Sequence, residues 1–219
     1  RERECIMACK QCQGIESFFD QKEADKDLAT YRKKGPAATT QMLIDAVAAE
    51  NVDGGSLLDI GGGVGALQNE LLKVGFKTAV SVDASSAYAL AAEQEAERQG
   101  HAGRISRHHG DFVDAAPSLE DADVVTLDRV ICCYHDVQKL VGLSSEKAKR
   151  VYAVVFPREN LLSKVGFGVF NMYFRLKRSP FRIFIHPTSV VEALVEANGL
   201  RRQSHHKTRM WQVLVYSRQ

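Results

Sequence analysis

Gly61, Gly62, Gly63 and Gly65 fall within a five-residue loop between a short apolar run at 56–60 and a helically spaced stretch at 66–74. Such a loop lets a ligand approach the backbone closely, and the amides at the helix start supply hydrogen-bond donors. Three acids recur in comparable places. Asp59 precedes the glycines, Asp83 ends the next apolar run, and Asp111 follows the third, in Gly110-Asp111-Phe112. A ligand held by this frame lies outside the carboxyl ends of the strands. Asp83, with Ala84 beside it, can accept hydrogen bonds from both hydroxyls of a ribose. Asp111 can hold the amino group of an adenine, with Phe112 against the ring.

The elements that must position these residues alternate. Apolar runs at 56–60, 78–82, 104–108, 123–127 and 151–156 read as strands buried on both faces. Helical spacing follows at 66–74, 86–99, within 137–149 and within 160–177. The alternation predicts an open, doubly wound α/β sheet. A helix at 188–198 and two strand-like runs, 200–206 and 211–216, read as a terminal hairpin. Before the sheet, residues 16–34 read as one charged helix stopped by Gly35-Pro36, and Thr39 or Thr40 can cap a second helix.

Two cofactors suit the loop. Gly61-x-Gly63-x-x-Ala66 satisfies a relaxed dinucleotide fingerprint with Asp83 as the ribose acid, which would make the chain an NAD(P)-dependent oxidoreductase. S-adenosylmethionine is the other. Asp59 separates them: it would repel a pyrophosphate and favour an ammonium and a sulfonium. The run Asp59-Ile60-Gly61-Gly62-Gly63-Val64-Gly65 resembles the glycine loop of class I methyltransferases. The resemblance covers 36–219, leaving 1–35 as a tail and helical cap. It implies a Rossmann-like seven-stranded sheet in the order 3-2-1-4-5-7-6, with strand 7 antiparallel. It also implies that Arg129 and Val130, just after the fourth strand, line the cofactor.

The layout is similar, further, to the magnesium-protoporphyrin methyltransferase branch. Shared features are Tyr31 to Gly35, Ile131 to Tyr134, and Arg182 to His186. Cys133 stands where that branch has a histidine, and His135 follows. The resemblance implies that Tyr31 and Tyr134 sit near the transferred methyl. His135, whose imidazole can take up and give up a proton, is the candidate base, and an exposed loop histidine is its plainer reading. The activity expected is in-line methyl transfer to a small, partly hydrophobic, anionic molecule. A non-catalytic binding module on the same fold is the rival.

Charge is polarised. Residues 51–128 carry 5 basic and 13 acidic side chains, and residues 129–219 carry 16 and 5, within a net charge of +2. No nucleic-acid motif accompanies the basic third. That third instead surrounds an aromatic-rich stretch at 160–182, suited to capping a hydrophobic substrate, forming a homodimer face or resting on a membrane surface. Cys5-x-x-x-Cys9-x-x-Cys12 has iron–sulfur spacing, but the sheet leaves no room for the barrel that normally carries it, so no metal is expected. The charged start and odd cysteine count point to a reducing cytoplasm.

Overall fold

The computed structural model describes residues 10–219, with side chains from Gly14 onward. Two helices, α1 (Lys10–Phe18) and α2 (Gln21–Lys34), precede α3 (Ala38–Ala48). The alternating part runs β1 (Ser56–Ile60), α4 (Ala66–Lys73), β2 (Thr78–Asp83), α5 (Ser86–Arg98), β3 (Ile105–His109), α6 (Phe112–Ala115), β4 (Ala122–Asp128), α7 (Val137–Glu146) and β5 (Ala148–Pro157). It closes with α8 (Leu161–Leu176), α9 (Thr188–Ala197), β6 (Leu200–Lys207) and β7 (Trp211–Arg218).

The sheet order is β3-β2-β1-β4-β5-β7-β6, with β7 antiparallel to both β5 and β6. This is the expected order. Successive strand residues face opposite sides, so each strand feeds two cores. Leu58, Leu127, Val154 and Leu214 pack toward α7 and α9, with Leu140, Val191 and Val195. Leu57, Val124, Val155 and Val213 pack toward α3 and α4, with Leu43, Val47 and Leu71.

Two local expectations need correction. The single helix at 16–34 is two helices. Asp20 is extended and its side chain accepts the amide of Glu23 at 3.0 Å, so it caps α2 and breaks the run. Neither Thr39 nor Thr40 caps α3: the helix starts at Ala38, behind Ala37, without a side-chain cap. Thr40 is buried within it and donates to Asp128 at 2.5 Å. Gly14 explains how closely α1 seats, because a Cβ there would lie 2.7 Å from the Phe181 amide nitrogen.

α2 is fastened to α5 by charge. Glu95, fully buried, receives Arg32 at 2.7 Å and Arg98 at 2.5 Å. Burial alone would raise its pKa, but the bonds from Arg98 and Arg32 prevail and hold it at about 2. The Tyr88 hydroxyl donates to Asp27 at 2.7 Å across the same seam.

Cys5 and Cys9 lie outside the described residues, as does the side chain of Cys12. Among the described residues no cluster of three His, Cys, Asp or Glu suits a metal.

Candidate functional site

The carboxyl ends of β1, β2 and β4 open into a cavity of about 660 Å³, within the range of small-molecule sites. The glycine loop forms its floor. Gly61 and Gly63 have φ of 66° and 56°, the left-handed region that favours glycine. A side chain at Gly61 would also run into Val130. Asp83 fastens the loop: its Oδ2 accepts the Gly63 amide at 2.9 Å and its Oδ1 the Ser85 amide at 2.8 Å. Burial raises its pKa to about 6, against the pull of those two amides.

Asp59 has a different place from the one its spacing suggested. It lines the cavity, yet it is almost wholly buried and both oxygens serve the protein. Oδ1 accepts from Thr126 on β4 at 2.7 Å, and Oδ2 from Gln68 on α4 at 3.0 Å. Gln68 also donates to Ser81 on β2 at 2.8 Å, so the cluster ties three strands to one helix. Burial pushes the Asp59 pKa up to about 7, with Thr126 and Gln68 pulling the other way.

A folded-state pKa above the unfolded value means stability present at low pH and lost as pH rises through about 7. Asp59→Asn removes that loss. The buried Gln68 Oε1, which has no partner among the described residues, can accept from the new amide if Gln68 turns over. Thermal melts should show Asp59→Asn gaining on the wild type above pH 7, with the gain shrinking toward pH 4. A gain independent of pH would contradict the charge argument.

Asp111 and Tyr134 meet at the far side. The Tyr134 hydroxyl donates to Asp111 Oδ2 at 2.9 Å, while Asp111 Oδ1 caps α6 through the Val113 amide at 2.9 Å. Phe112 is buried beside them and lines the cavity. After β4, Arg129 sits at φ 61° with a side chain, a conformation that costs roughly 1–2 kcal/mol. Its Nε approaches Asp128 at 3.2 Å, and Asp128 also holds Thr40.

Tyr31 lines the cavity from α2, but its hydroxyl is engaged elsewhere. It donates to Glu70 at 2.6 Å and accepts from Gln99 at 3.2 Å. Burial and the Glu70 carboxylate push its pKa well above the phenol value. The remaining cover is aromatic. Phe18 stacks on Phe181 with ring centres 4.4 Å apart, and Phe174 meets both edge-on.

The expected site residues therefore converge, with two exceptions. Asp59, Gly61, Gly63, Asp83, Ala84, Asp111, Phe112, Arg129, Val130, Tyr31 and Tyr134 all line the cavity. Gly65 instead starts α4, at φ 77°. His135 lies off the wall, its ring stacked near Tyr134 at 5.5 Å. Thr40, Asp128 and Phe181 also line the cavity: Thr40 is expected only as a helix cap, Asp128 lies in the stretch after the fourth strand that the resemblance places against cofactor and substrate, and Phe181 lies in the aromatic stretch suited to capping a substrate. A polar residue inside an apolar helix and an acid ending a buried strand were the available signals for the first two.

A family profile described as a methyltransferase domain matches residues 31–156, more than half of the chain. The chain belongs to this methyltransferase family. The matched span holds the glycine loop, Asp83, Asp111 and Arg129, and stops at the end of β5. No curated protein matches the methyltransferase in sequence. Among solved structures, magnesium protoporphyrin IX methyltransferase from Synechocystis PCC 6803, with bound S-adenosylhomocysteine, superposes with a TM-score of 0.73. It is 19% identical over 95% of this chain and 100% of that one. Geranyl diphosphate C-methyltransferase from Streptomyces coelicolor A3(2) also gives 0.73, at 12% identity, over 98% and 100%. An O-methyltransferase family protein from Burkholderia thailandensis gives 0.71 at 18% identity, over 93% and 62%. At these identities the likeness is one of fold.

Proposed function

We propose that the methyltransferase uses S-adenosylmethionine to methylate a small, partly apolar, anionic molecule. The observation that carries this reading is a single cavity with two chemically different ends. One end is the glycine loop and its acids. Each Asp83 oxygen accepts one amide, which leaves lone pairs for two ribose hydroxyls. Asp83 beside the loop, charged above about pH 6, disfavours a pyrophosphate and suits a ligand carrying positive charge. The two neighbours crystallised with S-adenosylhomocysteine support the same donor.

The other end is aromatic. Phe18, Phe167, Phe181 and Trp211 line it beside Lys34, a cation of the cavity wall that forms no salt bridge among the described residues, whereas Arg129 is held by Asp128. That pairing supports an apolar acceptor bearing negative charge, of which an apolar carboxylic acid is the simplest case. When bound, S-adenosylmethionine supplies a methyl group on a positively charged sulfur, open to in-line attack. The chain's part is to align the acceptor and exclude water. The aromatic cover supplies the exclusion. The Tyr134–Asp111 bond fixes part of the cavity wall. An acceptor that arrives as a carboxylate gives up no proton, so the reading assigns no base.

The test is a calorimetric titration with S-adenosylhomocysteine, followed by transfer of a labelled methyl group to apolar carboxylic acids and to their amides. One-to-one binding and labelling of the acids alone are expected. No binding of S-adenosylhomocysteine would reject the donor, and labelling of the amides in preference would reject the acceptor class.

A further inference from the structure

α8 has two apolar faces. At about 100° per residue, Ser163, Phe167 and Phe174 share one side of the helix, and all three are buried. Leu161, Val165, Val169, Met172 and Leu176 share the opposite side and face water, Val169 at 66% and Leu176 at 77% exposure. A surface helix normally turns polar residues outward, and a contiguous exposed apolar stripe marks an interaction site.

The charge beside the stripe says what it meets. Between Glu159 and Glu192 the chain carries no acid and five bases, Lys164, Arg175, Lys177, Arg178 and Arg182. By helical spacing, Lys164 and Arg175 border one edge of the stripe, and Lys177 follows the end of the helix with its ammonium 5.9 Å from the centre of the Tyr173 ring. Among the described residues, none of Lys164, Arg175, Lys177 and Arg178 forms a salt bridge. An apolar strip edged by uncompensated cations is complementary to acyl chains beneath anionic headgroups.

We propose that the outer face of α8 lies on an anionic lipid bilayer. The helix lies in the plane of the surface; among the described residues none is long and apolar enough to cross it. A second copy fits less well, because a two-fold contact would set the same cationic borders against themselves. The inner face of α8 puts Phe167 on the cavity wall, so docking would bring the aromatic end of the site next to lipid. The proposal goes beyond methyl transfer and stands without it.

The test is co-sedimentation of the full chain with vesicles of phosphatidylcholine alone and of an equimolar mixture with phosphatidylglycerol. Binding to the mixed vesicles is expected, weaker to phosphatidylcholine and weaker in high salt. The double substitution Val169→Asp with Leu176→Asp should reduce binding about tenfold or more, because it places charge where acyl chains would be. Both positions are exposed, so the thermal melt should barely move. Lys164→Gln should cost about fivefold on mixed vesicles. No binding to either vesicle, or binding that the double variant leaves unchanged, would overturn the proposal. A dimer in velocity sedimentation that the double variant splits would overturn it too, by giving the face to a second copy.

Discussion

Asp83→Ala should lower the affinity for S-adenosylhomocysteine by roughly 10²–10⁴-fold, since a hydrogen bond to a charged group is worth about 1.5–3 kcal/mol and a ribose makes two. The loss has a second source. Asp83 holds the Gly63 amide, so the substitution also releases the loop on which the ligand rests. Asp83→Asn keeps one acceptor and should fall between the two. The wild-type titration should carry its own signature: affinity falls as pH drops through about 6, where the carboxylate takes up a proton. Circular dichroism separates loss of binding from loss of fold. Full affinity in a folded Asp83→Ala variant would remove Asp83 from the site.

Gly62→Ala should be a strongly destabilising single-methyl change. Its Cβ would run into Gln68 Nε2 and lie 2.6 Å from Ser81 Oγ and 3.0 Å from Asp59 Oδ2. Those atoms belong to a closed, buried set of hydrogen bonds, so none can move without breaking another. Overpacking of this kind costs about 1–3 kcal/mol, and a bond lost to the buried carboxylate adds to it. Urea unfolding should show a midpoint lowered to match, with an unchanged slope. Gly103→Ala is the control, because open space surrounds that position. Equal stability of the Gly62→Ala protein would mean that the cluster yields more easily than its geometry implies.

The fold was largely legible because its signals are local. Each buried strand is a short apolar run, and Gly61 and Gly63 announce a turn that only glycine adopts cheaply. Sheet order came from the family resemblance rather than from periodicity. The acids at strand ends were legible in the same way, because the end of a parallel strand is where a ligand sits. Partnership was not legible. Nothing in the spacing says that Asp59 spends both oxygens on Thr126 and Gln68, or that Tyr31 turns its hydroxyl to Glu70, 39 residues away. Asp20 looks like one more charged residue in a charged helix, although an Asp can equally end one helix and cap the next. His135 follows the fourth strand as a base would, but the short helical turn at Ile131–Cys133 carries it past the wall.

The Glu95 clasp between α2 and α5 has a consequence for how the protein meets acid. Asp59 and Asp83 take up protons near pH 7 and pH 6, whereas Glu95 keeps its charge down to about 2. Glu95 therefore contributes its stability above its unfolded pKa and loses it only as pH falls through about 2. On mild acidification the charges of Asp59 and of Asp83 beside the glycine loop vanish first, while the clasp that seats Tyr31 and its helix still holds. Function and architecture are thus set to fail in sequence. A methyltransferase passing through a moderately acidic interval would fall silent with its cover in place, and would recover by deprotonation alone, with no refolding step.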